Sequence, residues 1–325
     1  MRESLEIGVH EKSKGDPMKK ATALCLLVFT AILTLLSAST GIGATKTANT
    51  ATTSWKTASH WTPSGVPAAG DSVVIPNTVT TVNVDTIATC GAMTVGNATG
   101  ANQAVNVTGT NSLTITTSGG LSGKLTLNPS DKGNTYTMAV AAGTLTVDGA
   151  VSLQAAAGGK AQTISVSTGT ITFNQAPSFS GADQALTISS TGTINFNAGY
   201  TDGAGVLSTV AGSNVNFGGS YTVNTAAFTF NPASNVAFTG NGTITPNAAI
   251  TFGNVQINSG AAVTTAGDIS VAGNWTNNGG TLSGGSHAVI FNGGGSQAIG
   301  GSATSQSFPN LAINGTDNTA LTINA

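Results

Sequence analysis

From Phe173 onward, phenylalanine recurs at a nearly fixed step. Phe173, Phe196, Phe217 and Phe238 close the phrases "GTITF", "GTINF", "SNVNF" and "SNVAF", at steps of 23, 21 and 21. Phe252 to Trp275 is a further step of 23. A chain that returns to one residue type at so regular a step is built of stacked units, none of which buries its apolar face alone. Inside each phrase apolar residues alternate with Thr, Ser or Asn, the period of a strand with one buried face. In "GTITFN" this sends Ile171 and Phe173 inward and Thr170, Thr172 and Asn174 outward. A coil of three short strands and three turns fits such a step, so the period predicts an all-β chain wound as a right-handed parallel β-helix, a β-solenoid. Its coils would stack at roughly 4.8 Å, and residues 101–325 would supply about ten of them, a rod of about 50 Å. An antiparallel β-sandwich also has many short strands, but it rarely repeats the same residue type at the same step.

Composition agrees with this reading. Charged residues are 7% of the 325-residue chain, against roughly 25% in ordinary soluble domains, and beyond Ala44 there is neither Arg nor Glu. Nucleic-acid binding needs clustered cations, and none are present. The 43 glycines show no Gly-X-Y period, so the excess of Gly, Asn and Thr marks turns and strand corners rather than collagen.

The first 44 residues read as an export signal. "MKK" at Met18–Lys20 is a basic start, Ala21–Ala38 is an apolar run, and "GIGA" ends at Ala44 with a small residue suited to cleavage. The competing reading is a membrane anchor, because the run approaches the length needed to span. The polar residues before Met18 make Met18 the expected true start. Leu24 before Cys25 does not suit a lipoprotein anchor. After cleavage Cys90 alone remains, so no internal disulfide is available, and it is expected to act as a small buried hydrophobe.

A solenoid must close its ends, since a terminal coil exposes strand edges and apolar core. Residues 45–100 are expected to hold an N-terminal cap and the first coils. "SWKTASHWTPSGVPAAGDSVVIP" (54–76) offers Trp55 and Trp61 to cover the core and Pro63, Pro67 and Pro76 to limit edge pairing. Its tryptophans and prolines lack a convergent set of ionisable partners. The chain stops at "LTINA", within a strand pattern, so a continuation beyond residue 325 is expected.

Two stretches carry a family resemblance. The pattern W-x5-W-x3-G-V-P-x2-G-D-S-V-V-I-P, followed by "TVNVDTIATCGAMTV" (81–95), resembles the start of bacterial secreted β-solenoid surface proteins and is similar to the opening of the eight-glycine extracellular domain. Residues 268–315, with "GNWTNNG", "AVIFNG" and "FPNLAI" in succession, are similar to a repeat of large exported bacterial surface proteins. The resemblance implies an exported, adhesin-like or coat-like role and transfers no catalytic residue.

Candidate chemistry is sparse. Glycoside hydrolysis uses two carboxylates about 5–9.5 Å apart, and Asp is the only acid after the signal: 71, 85, 131, 148, 183, 202, 268 and 317. Asp148 and Asp183 could share a face if the coils stack favourably, but each sits in a Gly-flanked turn that favours local backbone bonding. Lys124, Lys132 and Lys160 have no evident carboxylate companion. His60 and His287 lack a second ligand at metal spacing. "NGGGSQAIGG" (292–301) has neither the Asp of calcium repeats nor the Lys-Ser/Thr of a phosphate loop, and reads as a turn. Asp71 alone is a weak calcium ligand set.

No catalytic, cofactor or metal residue is therefore assigned. The expected function is an exported structural or adhesive cell-surface or matrix protein, with glycans, cell surfaces or its own copies as partners, and without nucleic acid or a membrane span in the mature chain. A carbohydrate-binding or carbohydrate-active β-helix is the alternative. An ice-binding solenoid using the Thr of "TVTTVNV" and "SLTITT" is third, because their spacing makes no single clean row.

Overall fold

The computed structural model describes residues 43–96, 102–127, 134–153, 160–179, 183–203, 207–224, 227–315 and 320–324. The expected export signal, with Met18 and Cys25, lies outside the described residues, as do Asp131, Lys132 and Asp317. The described chain is all-β; its one helical element is the short 3-10 turn Ala58–His60.

Short strands follow one another around a three-sided coil, and each pairs in parallel with its counterpart in the next coil. The first side runs from Thr45–Ala48 through Ser72–Ile75, Ala92–Val95 and Leu125–Leu127 to Val151–Leu153. A second ladder, Ser178–Phe179 to Thr281–Ser283, then takes that place in the coil. The second side runs from Thr52–Ser54 to Leu207–Ser208 and is succeeded by Phe228–Thr229 to Asn310–Ile313. The third side is one uninterrupted sheet of 11 strands, from Ala88–Cys90 to Leu321–Ile323. This is a β-solenoid of about eleven turns, with about 50 Å along the third side at ordinary strand spacing. Pairing crosses residue 100 on every side, so the first coils and the repetitive body form one hydrogen-bonded stack.

The alternation read in "GTITFN" is what the long third-side sheet shows: Ile171 and Phe173 are fully buried, while Thr170 and Thr172 face out. Phe173, Phe196, Phe217 and Phe238 are register partners in successive coils. Their rings stack at 5.7, 5.4 and 5.7 Å. Burying one such side chain contributes about 1.5–3 kcal/mol, and each ring pair adds about 0.5–1.5 kcal/mol. The apparent step from Phe252 to Trp275 is a coincidence. Phe252 lies on the second side and aligns with Val271, whereas Trp275 lies on the third and aligns with Val255. Coil length varies because corners absorb insertions: the coil from Ser112 to its register partner Thr144 is long, and that from Asn235 to Asn254 is short.

Corners turn backbone carbonyls into the core, and these need donors. Glutamine supplies them from inward positions at strand starts. Gln103 Nε2 donates to the carbonyls of Pro76 and Val79, and Gln184 Nε2 to that of Leu153 at 2.7 Å. Gln297 donates to Val271 O at 2.9 Å and accepts from Gly293 N at 2.9 Å. "NGGGSQAIGG" is thus only half a turn: Gln297–Gly300 is a third-side strand with Gln297 and Ile299 inside. Tyr136 shares the register column of Gln103 and Gln162. Its ring packs over Gly96, which has φ +80° and would bring any Cβ into that ring.

At the start of the stack the pairing changes sense. Trp61–Thr62 turns back and pairs antiparallel with the outer edge of Thr45–Ala48. Trp55 and Trp61 are buried and meet edge to face at 5.2 Å, and Trp61 Nε1 donates to Trp55 O at 3.0 Å. In the last described coils Leu311, Ile313 and Ile323 are exposed.

Candidate functional site

A polar constellation lies beside the two tryptophans. Ser54 aligns with Asn83 one coil on, which places Asp85 under the turn that follows Ser54. Ser54 Oγ donates to Asp85 Oδ2 at 2.7 Å, and Lys56 contributes its backbone N–H and, at 3.4 Å, its ammonium. His60, at the end of the 3-10 turn, accepts the Ser54 backbone N–H on Nδ1 at 3.0 Å. Thr57 Oγ1 donates to Ser54 Oγ at 3.2 Å. The stretch therefore does gather ionisable partners, contrary to the expectation from sequence. Asp85, which is decisive, belongs to the following coil, so the grouping appears only once the coil is closed.

Ser, His and Asp within one cluster invite comparison with a nucleophilic triad, but the connectivity is wrong for one. A triad needs imidazole between hydroxyl and carboxylate, so that it can take the hydroxyl proton. Here the carboxylate takes the serine hydroxyl directly, and the imidazole is spent on a backbone N–H. Burial pushes the Asp85 carboxyl up, but the bonds from Ser54 and Lys56 outweigh it and leave the group below its ordinary value. A carboxylate held down in this way is a poor base. The cluster is a strut that ties the opening turn to the next coil.

The other acids are separate. Asp71 accepts backbone N–H groups from Ala44 at 2.7 Å and Ala68 at 2.9 Å, the turn role expected of it. Nearby Cys90 is fully buried; burial, and then the Asp71 charge, push its thiol up to about 12. Asp148 follows the third-side strand Thr144–Val147 and accepts from Asn174 Nδ2 at 2.7 Å. Asp183 precedes the second-side strand Gln184–Ile188, and its carbonyl accepts from Gln162 N. The two occupy different corners of the coil and do not share a face. His287 meets Asp268 at 3.8 Å in an exposed pair. Among the described residues Lys124 and Lys160 form no ion pair, and no three metal-ligating side chains converge.

Sequence reasoning passed over Asp202. It points inward from Tyr200–Asp202 and is 1% exposed, beside the buried Tyr200 and Tyr221. Burial, and then the Asp202 charge, push both phenols well above their ordinary range. The signal available was an acid at an apolar position of the alternation, "YTD" in register with "YTV". Its side chain faces the core among these rings.

What the molecule offers outward is its sheet faces. The third side has two outward columns. One runs Ser112, Thr144, Thr170, Thr193, Asn214, Asn235, Asn254; the other runs Thr89, Thr114, Thr146, Thr172, Asn195, Asn216, then Ala237 and Gln256. In the asparagine part each amide bonds its neighbour: Asn235 Nδ2 to Asn214 Oδ1 at 3.0 Å, Asn254 to Asn235 at 3.2 Å, Asn216 to Asn195 at 2.8 Å. An open groove of about 540 Å³ crosses this part, lined by Asn214, Asn216, Asn235, Asn254, Gln256 and Thr276. The Thr residues quoted for ice binding lie on different sides: Ser112 and Thr114 on the third, Thr81 on the second. Among the described residues no helix is long and apolar enough to cross a membrane. No family model, curated protein or solved structure matches the chain, so its function has to be read from these residues.

Proposed function

We propose that this chain is an exported, non-enzymatic rod that works as a structural or adhesive element at a cell surface or in an extracellular matrix. The observation that carries this reading is the outward chemistry: neutral hydroxyls and amides repeat along one long sheet, while the described charged groups outside the core lie at turns and strand ends. Such a face suits extended contact with a surface, a polysaccharide or another rod, because no like charge accumulates along it. Asp85 is tied to Ser54, and Asp148 and Asp183 lie on different corners, so these carboxylates do not form the pair that glycoside hydrolysis uses. The test is adsorption of the purified chain to bacterial cells, to immobilised acidic and neutral polysaccharides and to itself. Retention on at least one of them supports the reading. A folded monomer that binds none, or one that releases reducing ends from a polysaccharide, overturns it.

The groove over Asn216 and Gln256 favours a narrower second reading, a glycan-binding module. Its amides already bond along the axis and the described aromatic rings are turned to the core, so a sugar would meet residual donors and acceptors without a stacking platform. Asn216→Ala should lower glycan retention if this groove is used, and retention unchanged in that variant removes the groove from consideration.

A further inference from the structure

The outward threonines of the long third-side sheet form two adjacent columns of aligned, unspent hydroxyls, whereas rows such as Thr94/Thr126/Ser152 and Thr201/Thr222/Thr245 are shorter single columns. Four successive coils place hydroxyls in two columns, Ser112/Thr114, Thr144/Thr146, Thr170/Thr172 and Thr193 with Asn195. Among the described residues the side chains of Ser112, Thr114, Thr144, Thr146 and Thr170 make no hydrogen bond to protein, whereas Thr172 accepts from Asn195 at 3.0 Å. Inward partners at the same level are Leu113, Ile115, Leu145, Val147, Ile171 and Phe173, all fully buried, so the sheet beneath is rigidly backed. β-Branching limits Thr to few χ1 states, and neighbouring copies in a ladder restrict each other further.

We infer that this threonine face is an ice-binding surface. Its repeat is about 4.8 Å between coils and about 6.7 Å between alternate residues of a strand. These two lengths fall near the two oxygen repeats on a prism face of ordinary ice. Each threonine presents a hydroxyl that can occupy a lattice position and a methyl group that orders water without competing for it. Formal charge, which holds its own hydration shell, is absent from both columns. The other long columns lack one of these properties. On the second side Thr137 and Thr163 are flanked by Ala104 and Ala185, and the asparagine part of the third side consumes its amides internally.

This inference goes beyond the adhesive reading, which names cells, polysaccharides and other copies of the chain but not ice. The experiment uses the full chain, with folding checked by circular dichroism and a melting curve. Expected results are enrichment in slowly grown ice, faceted crystals that stop growing within a thermal-hysteresis gap, and inhibited recrystallisation. Thr146→Tyr, at the centre of the array, should lose most of all three effects while melting like the parent. Thr163→Tyr on the second side should keep them. A folded parent chain that is excluded from ice and shows no gap overturns the inference, as does equal loss in the two variants. Adsorption to cells and polysaccharides, measured on the same samples, separates the two readings: if it persists while ice binding is absent, the threonine face has been misread but the adhesive rod has not.

Discussion

Two halves of the long sheet solve the same stacking problem with different chemistry. In the coils from Ala88 to Phe173 the inward pairs are mostly aliphatic, Leu113/Ile115 and Leu145/Val147, and the outward residues are threonine or serine. From Phe196 to Phe238 the core turns aromatic: Tyr200 lies 4.4 Å from Phe196, Tyr221 lies 4.5 Å from Phe217, and the outward residues become asparagine. Coil length changes with them. The aliphatic half takes long and unequal coils, Ser112 to Thr144 to Thr170; the aromatic half settles to short and equal ones, Thr193 to Asn214 to Asn235. Aliphatic side chains interlock across neighbours without demanding identity. Ring stacks and amide ladders work only if the same group returns at the same place in every turn, so they tolerate little variation between coils.

Removing one ring separates the two halves most strongly. Phe217 stacks on Phe196, Phe238 and Tyr221 together, so Phe217→Ala should cost about 3–5 kcal/mol and weaken the rings on both sides. Leu145→Ala should cost about 2–5 kcal/mol, with less spread to its neighbours. Hydrogen exchange by segment measures that spread. If both variants open equally long stretches, the ring column is not a cooperative unit. A Phe196→Ala/Phe217→Ala cycle should give a coupling of about 0.5–1.5 kcal/mol.

Alkaline pH probes both halves through groups that burial keeps neutral. Cys90, in the aliphatic half, has its thiol raised from 9.0 to about 12, and the Tyr200 and Tyr221 phenols, in the aromatic half, lie well above 10.0. A group whose folded value is raised contributes stability that is fully present below its unfolded value and lost as pH rises past it. Stability should therefore begin to fall near pH 9, at up to about 1.4 kcal/mol per pH unit for each group. Urea melts across this range give the slope. Cys90→Ala should remove its early part, and Tyr200→Phe should flatten the part above the ordinary phenol value. A slope unchanged in both variants would place the alkaline weakness elsewhere.

What sequence reveals here depends on whether partners repeat visibly. The phenylalanine column was legible because identical residues recur at nearly equal steps, and the alternation in "GTITFN" told which side chains point inward. The threonine columns were not legible as columns. The step from Thr114 to Thr146 is longer than that from Thr146 to Thr172, and unequal corners hide the register that backbone pairing restores. The same cause produced the false match of Phe252 with Trp275, whose strands occupy different sides. The Ser54–Asp85 strut was hidden because its partners belong to successive coils. Whether Asp148 and Asp183 share a face depended on how the coils stack, and the residues around a turn do not say on which corner it lies.

The smallest effect is also the most discriminating between the outer faces. Asn235 donates to Asn214 and accepts from Asn254, so it spends both ends of its amide on the column. Threonine has a single hydroxyl and too short a reach to bridge two coils in this way. Asn235→Thr should therefore break two side-chain bonds that are partly open to water, for a cost of about 1 kcal/mol. The opposite exchange, Thr146→Asn, meets Thr114 and Thr172 above and below and finds no amide to pair with, so melting should hardly change. The two variants invert the outer chemistry of the halves while leaving the core untouched. If Asn235→Thr is as neutral as Thr146→Asn, the asparagine ladder is a passive consequence of stacking, and the steadier coil length of that half must be credited to the aromatic rings alone.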